Sequence, residues 1–109
     1  MNVFELTDKL SLEKVNISDG TRKISGGFAC DLLSHALANG FEGCAWATVM
    51  TNINVVAIAF QRNISCVILC GGVSLDGDAL YAARKHGINV LSTDKTVYEV
   101  CRDMGKSGI

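Results

Sequence analysis

Proline is missing from this 109-residue chain altogether, and nothing in the sequence accounts for that. Other absences exclude more. No apolar run approaches the roughly 18 residues that span a bilayer. The longest, residues 55–60 and 66–70, suit a protein core. The opening MNVFELTDKL sets acids among apolar residues and does not resemble a secretory leader, so a cytoplasmic location is expected and a membrane partner is not. Lys and Arg are scattered singly apart from Arg22-Lys23 and Arg84-Lys85, and the net charge is −1. That excludes nucleic acid as a main partner, because neutralising phosphates needs a concentrated basic surface.

Catalytic signatures are missing too. No H-E-x-x-H, G-x-S-x-G or G-x-G-x-x-G occurs. Gly105-Lys106-Ser107 has the ending of a phosphate-binding loop, but that loop needs glycine where Val100 stands. His35 falls inside a helix-like stretch, and His86 lies near a helix end that favours a cation. No catalytic residue is assigned, and no enzyme activity is expected. Cysteine occurs at positions 30, 44, 66, 70 and 101, yet no C-x-x-C pair exists. On one strand, Cys66 and Cys70 would share a face roughly 13 Å apart, too far for one metal ion. Reduced, buried thiols are the plain reading, and a thiol-based metal or redox site is the sharper one. No metal ligand and no resident cofactor is assigned.

What is present is a folded composition, 49% hydrophobic and 19% charged. One domain, residues 1–109, suits the length, and self-association would help so short a chain bury its surface. Residues 24–30, 44–49, 65–70 and 88–91 read as strands; 31–38, 52–62 and 76–86 read as helices. A last helix follows Thr93 or Asp94 as its cap. Inward stripes are expected at Leu33, Ala36 and Leu37, at Val55, Val56, Ala59 and Phe60, at Ala79, Leu80 and Ala83, and at Val97, Val100, Cys101 and Met104. Trp46 belongs to a buried strand. Gly26-Gly27, inside a strand, signals a bulge or a close approach by another backbone. Residues 2–10 read as a short helix capped by Asn2 and 12–17 as a strand, together an addition at the sheet edge. The tail, 105–109, should fray. The alternation predicts an α/β domain, its mainly parallel sheet flanked by helices and its crossovers right-handed.

The strand-to-helix junctions are Cys30-Asp31, Thr51-Asn52, Gly71-Gly72 and Ser92-Thr93. A parallel sheet gathers such junctions at the carboxyl ends of its strands, where ligands bind. Asp31, Ser34, Thr51, Asn52, Asn54, Gly71, Gly72, Ser92 and Thr93 are the candidate ligand-binding residues. Free amides at helix N-termini would favour an anion, and the glycines would admit it to the backbone. A nucleotide or another phosphorylated metabolite is the expected ligand. Lys95 is the one cation in these segments, so a second chain would have to complete a tight phosphate site. The plainer reading is that these residues only cap helices.

The segments GGFACDLLSHALAN, GCAWATVMTNINVVAIAF, CVILCGG and GINVLSTDKTVYEV resemble the DRTGG domain family over roughly residues 24–100. The resemblance is to small stand-alone members, some encoded beside iron-only hydrogenase components, and to the domain preceding the catalytic part of HPr kinase/phosphorylase. Related domains occur in phosphotransacetylases, and beside CBS modules in pyrophosphatases regulated by adenine nucleotides. The resemblance implies a homodimeric, non-catalytic regulatory module that binds a small molecule, with an adenine nucleotide as a candidate. The sequence D-R-T-G-G itself is absent. Where many members carry a Gly-Asp-Arg-like element, this chain has Thr51-Asn52-Ile53-Asn54, without acid or base. Two alternatives stand beside this reading: a protein-interaction or assembly factor for a redox or hydrogenase complex, and a thiol-based metal-binding protein.

Overall fold

The computed structural model describes residues Met1–Ile109. Its elements run α1 (Val3–Lys9), β1 (Glu13–Asn16), β2 (Gly26–Ala29), α2 (Leu33–Asn39), β3 (Cys44–Thr48), α3 (Ile53–Gln61), β4 (Cys66–Leu69), α4 (Gly77–His86), β5 (Val90–Ser92) and α5 (Val97–Lys106). The sheet order is β1-β5-β4-β3-β2, with β2 to β5 parallel and β1 antiparallel on β5. The most continuously apolar runs, β3 and β4, are buried at every residue, as strands covered on both faces must be.

Alternation along the strands divides the core in two. Cys44, Trp46, Val67, Leu69 and Val90 face α2, α3 and α4. Ala45, Ala47, Cys66, Ile68, Cys70 and Leu91 face α1 and α5. Each face is a separate hydrophobic layer, and the domain is a three-layer sandwich. Trp46 is wholly buried, and its indole N–H donates to the Cys30 carbonyl at 3.0 Å. An aromatic ring of this size, once buried, anchors its layer and needs such a partner for its one polar atom.

Several expectations need correction. The N-terminal helix is no mere edge addition: Val3, Leu6 and Leu10 of that segment fill the second layer, and of the N-terminal addition only β1 lies at an edge of the sheet. Gly26 and Gly27 pair regularly with Cys44 and Ala45, so there is no bulge. Side chains, not a backbone, approach them. A Cβ on Gly26 would meet the Phe41 ring at 3.2 Å, and one on Gly27 would meet Ile109 at 3.4 Å. The tail does not fray: α5 runs to Lys106, and the Ile109 amide donates to Met104 O at 3.0 Å. Leu37 and Phe60, which helical spacing places inward, are 44% and 58% exposed. The spacing rule marks one stripe, whereas these two helices carry apolar residues on more than one side.

Candidate functional site

The carboxyl ends of β2 to β5 form one rim, and hydrogen bonds tie its loops sideways. Asp31, after β2, accepts from Thr48 Oγ1 and from the Val49 amide, each at 2.8 Å. Thr51, after β3, donates its hydroxyl to Asp76 at 3.2 Å. Past β4, Gly71 N donates to Lys95 O at 2.7 Å and Gly72 N to Thr93 O at 3.0 Å. The four junctions therefore meet along a common edge. They do not enclose a common hollow.

The expected residues separate into three sets. Gly72, Ser92 and Thr93 line a hollow of about 120 Å³ with Glu13, Val73, Ser74 and Asp94. Ser34 and Asn54 lie instead in a groove between α2 and α3. Asp31, Thr51, Asn52 and Gly71 hold the rim together: Asn52 caps α3 through the Asn54 amide at 2.9 Å, and the others make the bonds above. Asp31 is not the cap of α2. That helix starts at Leu33 behind Leu32, with no side-chain cap, because the Asp31 carboxylate is spent on β3.

Topology explains where the hollow lies. The chain leaving β4 turns to α4 on one face, and the chain leaving β5 turns to α5 on the other. Adjacent strands whose loops part to opposite faces leave a crevice between them. Gly71 and Gly72 both hold left-handed backbone, at φ 73° and 75°, which steers the first loop away. The carboxylate of Asp94 lies over Gly72, so a Cβ there would meet Asp94 Oδ1 at 3.0 Å.

The electrostatics differ from the expected anion site. The amides at the start of α5 are occupied by the chain itself. Thr96 and Glu99 form a reciprocal capping box on α5, which also corrects the expected caps Thr93 and Asp94. The Glu99 carboxyl is held below its ordinary range by those Thr96 bonds. Asp78 accepts from the Ala79 amide on α4. Lys95 turns away from the rim to Asp103 and to Leu10 O, each at 3.2 Å. Its hydrogen bond is the main reason the Asp103 carboxyl is pulled below its usual value. The hollow thus has two carboxylates, Glu13 and Asp94, and no cation.

Glu13, Ser74, Ser92 and Asp94 make no side-chain hydrogen bond or ion pair within the chain, while Thr93 accepts from the Lys95 amide at 3.2 Å. Sequence reasoning missed Glu13. It begins β1, from the far end of the chain, and only the antiparallel pairing of Glu13 with Ser92 brings it here.

No three His, Cys, Asp or Glu side chains come together in a way that could hold a metal ion. Burial pushes the Cys66 thiol up to about 12 and the Cys70 thiol up to about 11. Protonated, enclosed thiols are poor ligands and poor nucleophiles.

No protein-family model and no curated protein matches the chain. Among solved structures, it matches the CBS and DRTGG domains of the regulatory region of Clostridium perfringens pyrophosphatase, complexed with the activator diadenosine tetraphosphate. The TM-score is 0.76 at 18% identity, over 97% of this chain and 46% of that one. The fold is DRTGG-like. This DRTGG-like chain spans about half the length of that regulatory region, and the likeness concerns fold. No helix in it is long and apolar enough to cross a membrane.

Proposed function

We propose that this chain is a non-catalytic regulatory module of DRTGG type that binds an adenine nucleotide by its nucleoside end. The observation that carries this reading is the hollow between β4 and β5, whose lining holds four polar side chains without partners in the chain. Carboxylates accept hydrogen bonds from sugar hydroxyls, the way an acidic residue reads a ribose at this kind of crevice. Glu13 and Asp94 suit a ribose diol and repel a phosphate. The hollow, about 120 Å³, is smaller than the roughly 300 Å³ at the low end of ordinary ligand pockets. It takes one sugar-sized group and leaves the phosphates in solvent. The regulatory region that shares this fold over about half its length is complexed with the activator diadenosine tetraphosphate, a ligand with two nucleoside ends. The absence of a catalytic motif and the protonated thiols favour a sensor over an enzyme or a metal carrier.

Thermal shift and calorimetry with adenosine, AMP, ATP and diadenosine tetraphosphate test this. Ligand at a hundredfold excess over its dissociation constant should stabilise the fold by about 2.7 kcal/mol. Adenosine should bind about as well as ATP, and Asp94→Asn should weaken both at least about tenfold. Binding that depends on the phosphates and ignores Asp94→Asn would overturn the assignment.

A further inference from the structure

The two edges of the sheet are unlike. β1 carries Glu13 and Lys14, and its register with β5 slips between Lys14 and Asn16. Charge and irregularity are usual ways of keeping an edge strand from pairing with another chain. β2, at the opposite edge, has neither. Its sequence is GGFA, without proline, and it pairs with β3 in unbroken register.

The backbone of this edge is open at particular residues. Ser25 N–H donates inward to Gly43 O at 2.8 Å, and Ile24 N–H donates outward to Met1 O at 2.9 Å. Successive residues of a strand alternate in this respect, so Gly26 and Phe28 turn their N–H and C=O groups to the open side. The chain itself starts a ladder on that side. Val3 N–H donates to Arg22 O at 3.1 Å, and Asn2 lies antiparallel opposite Lys23. The pairing stops at Ile24, just before β2 begins.

Two hollows lie along the same strand, on the side of α1 and α5. One, of about 220 Å³, lies between Gly27 and Ala29 of β2 and Cys101, Met104 and Gly105 of α5. It is apolar and has room for one large side chain. The other, of about 390 Å³, lies beside Ser25 and Gly26 and contains Lys9. Lys9 has no ion pair, and Glu5 in the same hollow is held by the Asn2 amide at 3.0 Å in its capping box.

We infer that β2 receives an extended segment of a partner protein as a further, antiparallel strand. The segment carries a large apolar side chain opposite Gly27 and an acidic side chain two residues later, beside Lys9. Main-chain bonds to Gly26 and Phe28 supply affinity, and the hollows read alternate side chains. Directly opposed residues of antiparallel strands project to one face. A Cβ on Gly27 would meet Ile109 and Met104, so the residue opposite Gly27 faces the apolar hollow. The direction continues the antiparallel pairing that Asn2 begins. A second copy of β2 does not fit. Paired about Gly27, it offers only Ser25, Gly27 and Ala29 to the two hollows. The apolar hollow would stay unfilled, and Lys9 would lack a counter-charge. The inference is independent of any ligand at the rim.

Calorimetric titration of the full chain with end-blocked heptapeptides tests it. TVTLTET sets valine, leucine and glutamate opposite Ala29, Gly27 and Ser25, and should bind one to one. The reversed peptide, TETLTVT, should bind at least about tenfold more weakly, because its acid lies away from Lys9. Methylating the backbone nitrogen of either threonine beside the leucine should abolish binding, whereas methylating that of the leucine should not, since only alternate amides face β2. Gly105→Leu has open space around it and should fill the apolar hollow. It should weaken TVTLTET at least about tenfold with unchanged circular dichroism. Lys9→Glu should weaken TVTLTET by about fivefold, and TVTLTKT should restore the affinity. No binding at millimolar peptide would overturn the inference. Binding indifferent to peptide direction, to the methylated position or to Gly105→Leu would overturn it too. So would a free chain that sediments as a dimer with its Gly26 and Phe28 amides already protected from hydrogen exchange, which would give the edge to a second copy.

Discussion

At the amino ends of the parallel strands, the carboxamide of Asn89 accepts from the Ser18 and Asp19 amides and donates to Asp19 O and Ser65 O. All four of its hydrogen-bonding sites are filled, and the residue is 1% exposed. Nearby, the Arg22 guanidinium bonds Ile64 O and Asn63 O at 3.0 Å each. At the carboxyl ends, Glu13, Ser74, Ser92 and Asp94 surround a hollow, and their side chains make no hydrogen bond within the chain. Residue types overlap at the two ends, but their valences do not. Polar groups saturated by backbone hold the fold, and polar groups left open around a hollow can receive a ligand. A count of Asn, Asp and Ser at loops sees no difference between them.

The comparison can be broken by mutation. The largest effect is expected at the amino end. Asn89→Ala leaves two amides and two carbonyls without their partner, and should lower stability by about 3 kcal/mol in urea unfolding. It should leave the affinity of the intact fold for adenosine unchanged. A loss below about 1 kcal/mol would show that water replaces the carboxamide and that this end is not the structural clamp.

A smaller effect is expected at the carboxyl end. Gly72→Ala must adopt φ near 75° and place its methyl group 3.0 Å from Asp94 Oδ1. It should destabilise by about 1–2 kcal/mol, and the displaced Asp94 should cost more in ligand affinity than in stability. Ligand binding at full strength in this variant would separate the hollow from function.

The smallest effect is a matter of pH. The Asp103 carboxyl is held below its ordinary 3.8, first by its hydrogen bond from Lys95. A lowered carboxylate value contributes stability that is fully present above pH 3.8. That contribution is lost as pH falls and the folded protein, too, takes up the proton. Asp103→Asn should therefore flatten the acid limb of the stability profile and leave the limb above neutrality unchanged. An unchanged acid limb would mean that Lys95 is not anchored there and is free to serve the rim.

Much of the architecture was legible in local pattern. The apolar runs at 44–49 and 65–70 were read as strands, and their alternation with helical periods announced a mainly parallel sheet. Asn2 was read as a cap from its residue type, and the helix from residue 52 from its spacing; both Asn2 and Asn52 cap through their side chains. The burial of Leu37 and Phe60 was misread, because helical spacing records how apolar residues are arranged and not how many sides of a helix find cover. Asp31 looked like a cap because Asp caps helices, but Thr48 and the Val49 amide compete for the same carboxylate.

Fold class and strand direction were settled by short-range periodicity, since period two and period 3.6 are properties of neighbouring residues. The candidate site was not. Asn54 and Ser34 stand near the rim in sequence order yet face a groove between two helices, whereas Glu13 joins Ser92 from 79 positions away. Which polar groups stay unpaired depends on contacts between distant segments, and only the packed sheet, with its loops parting to opposite faces after β4 and β5, decides them.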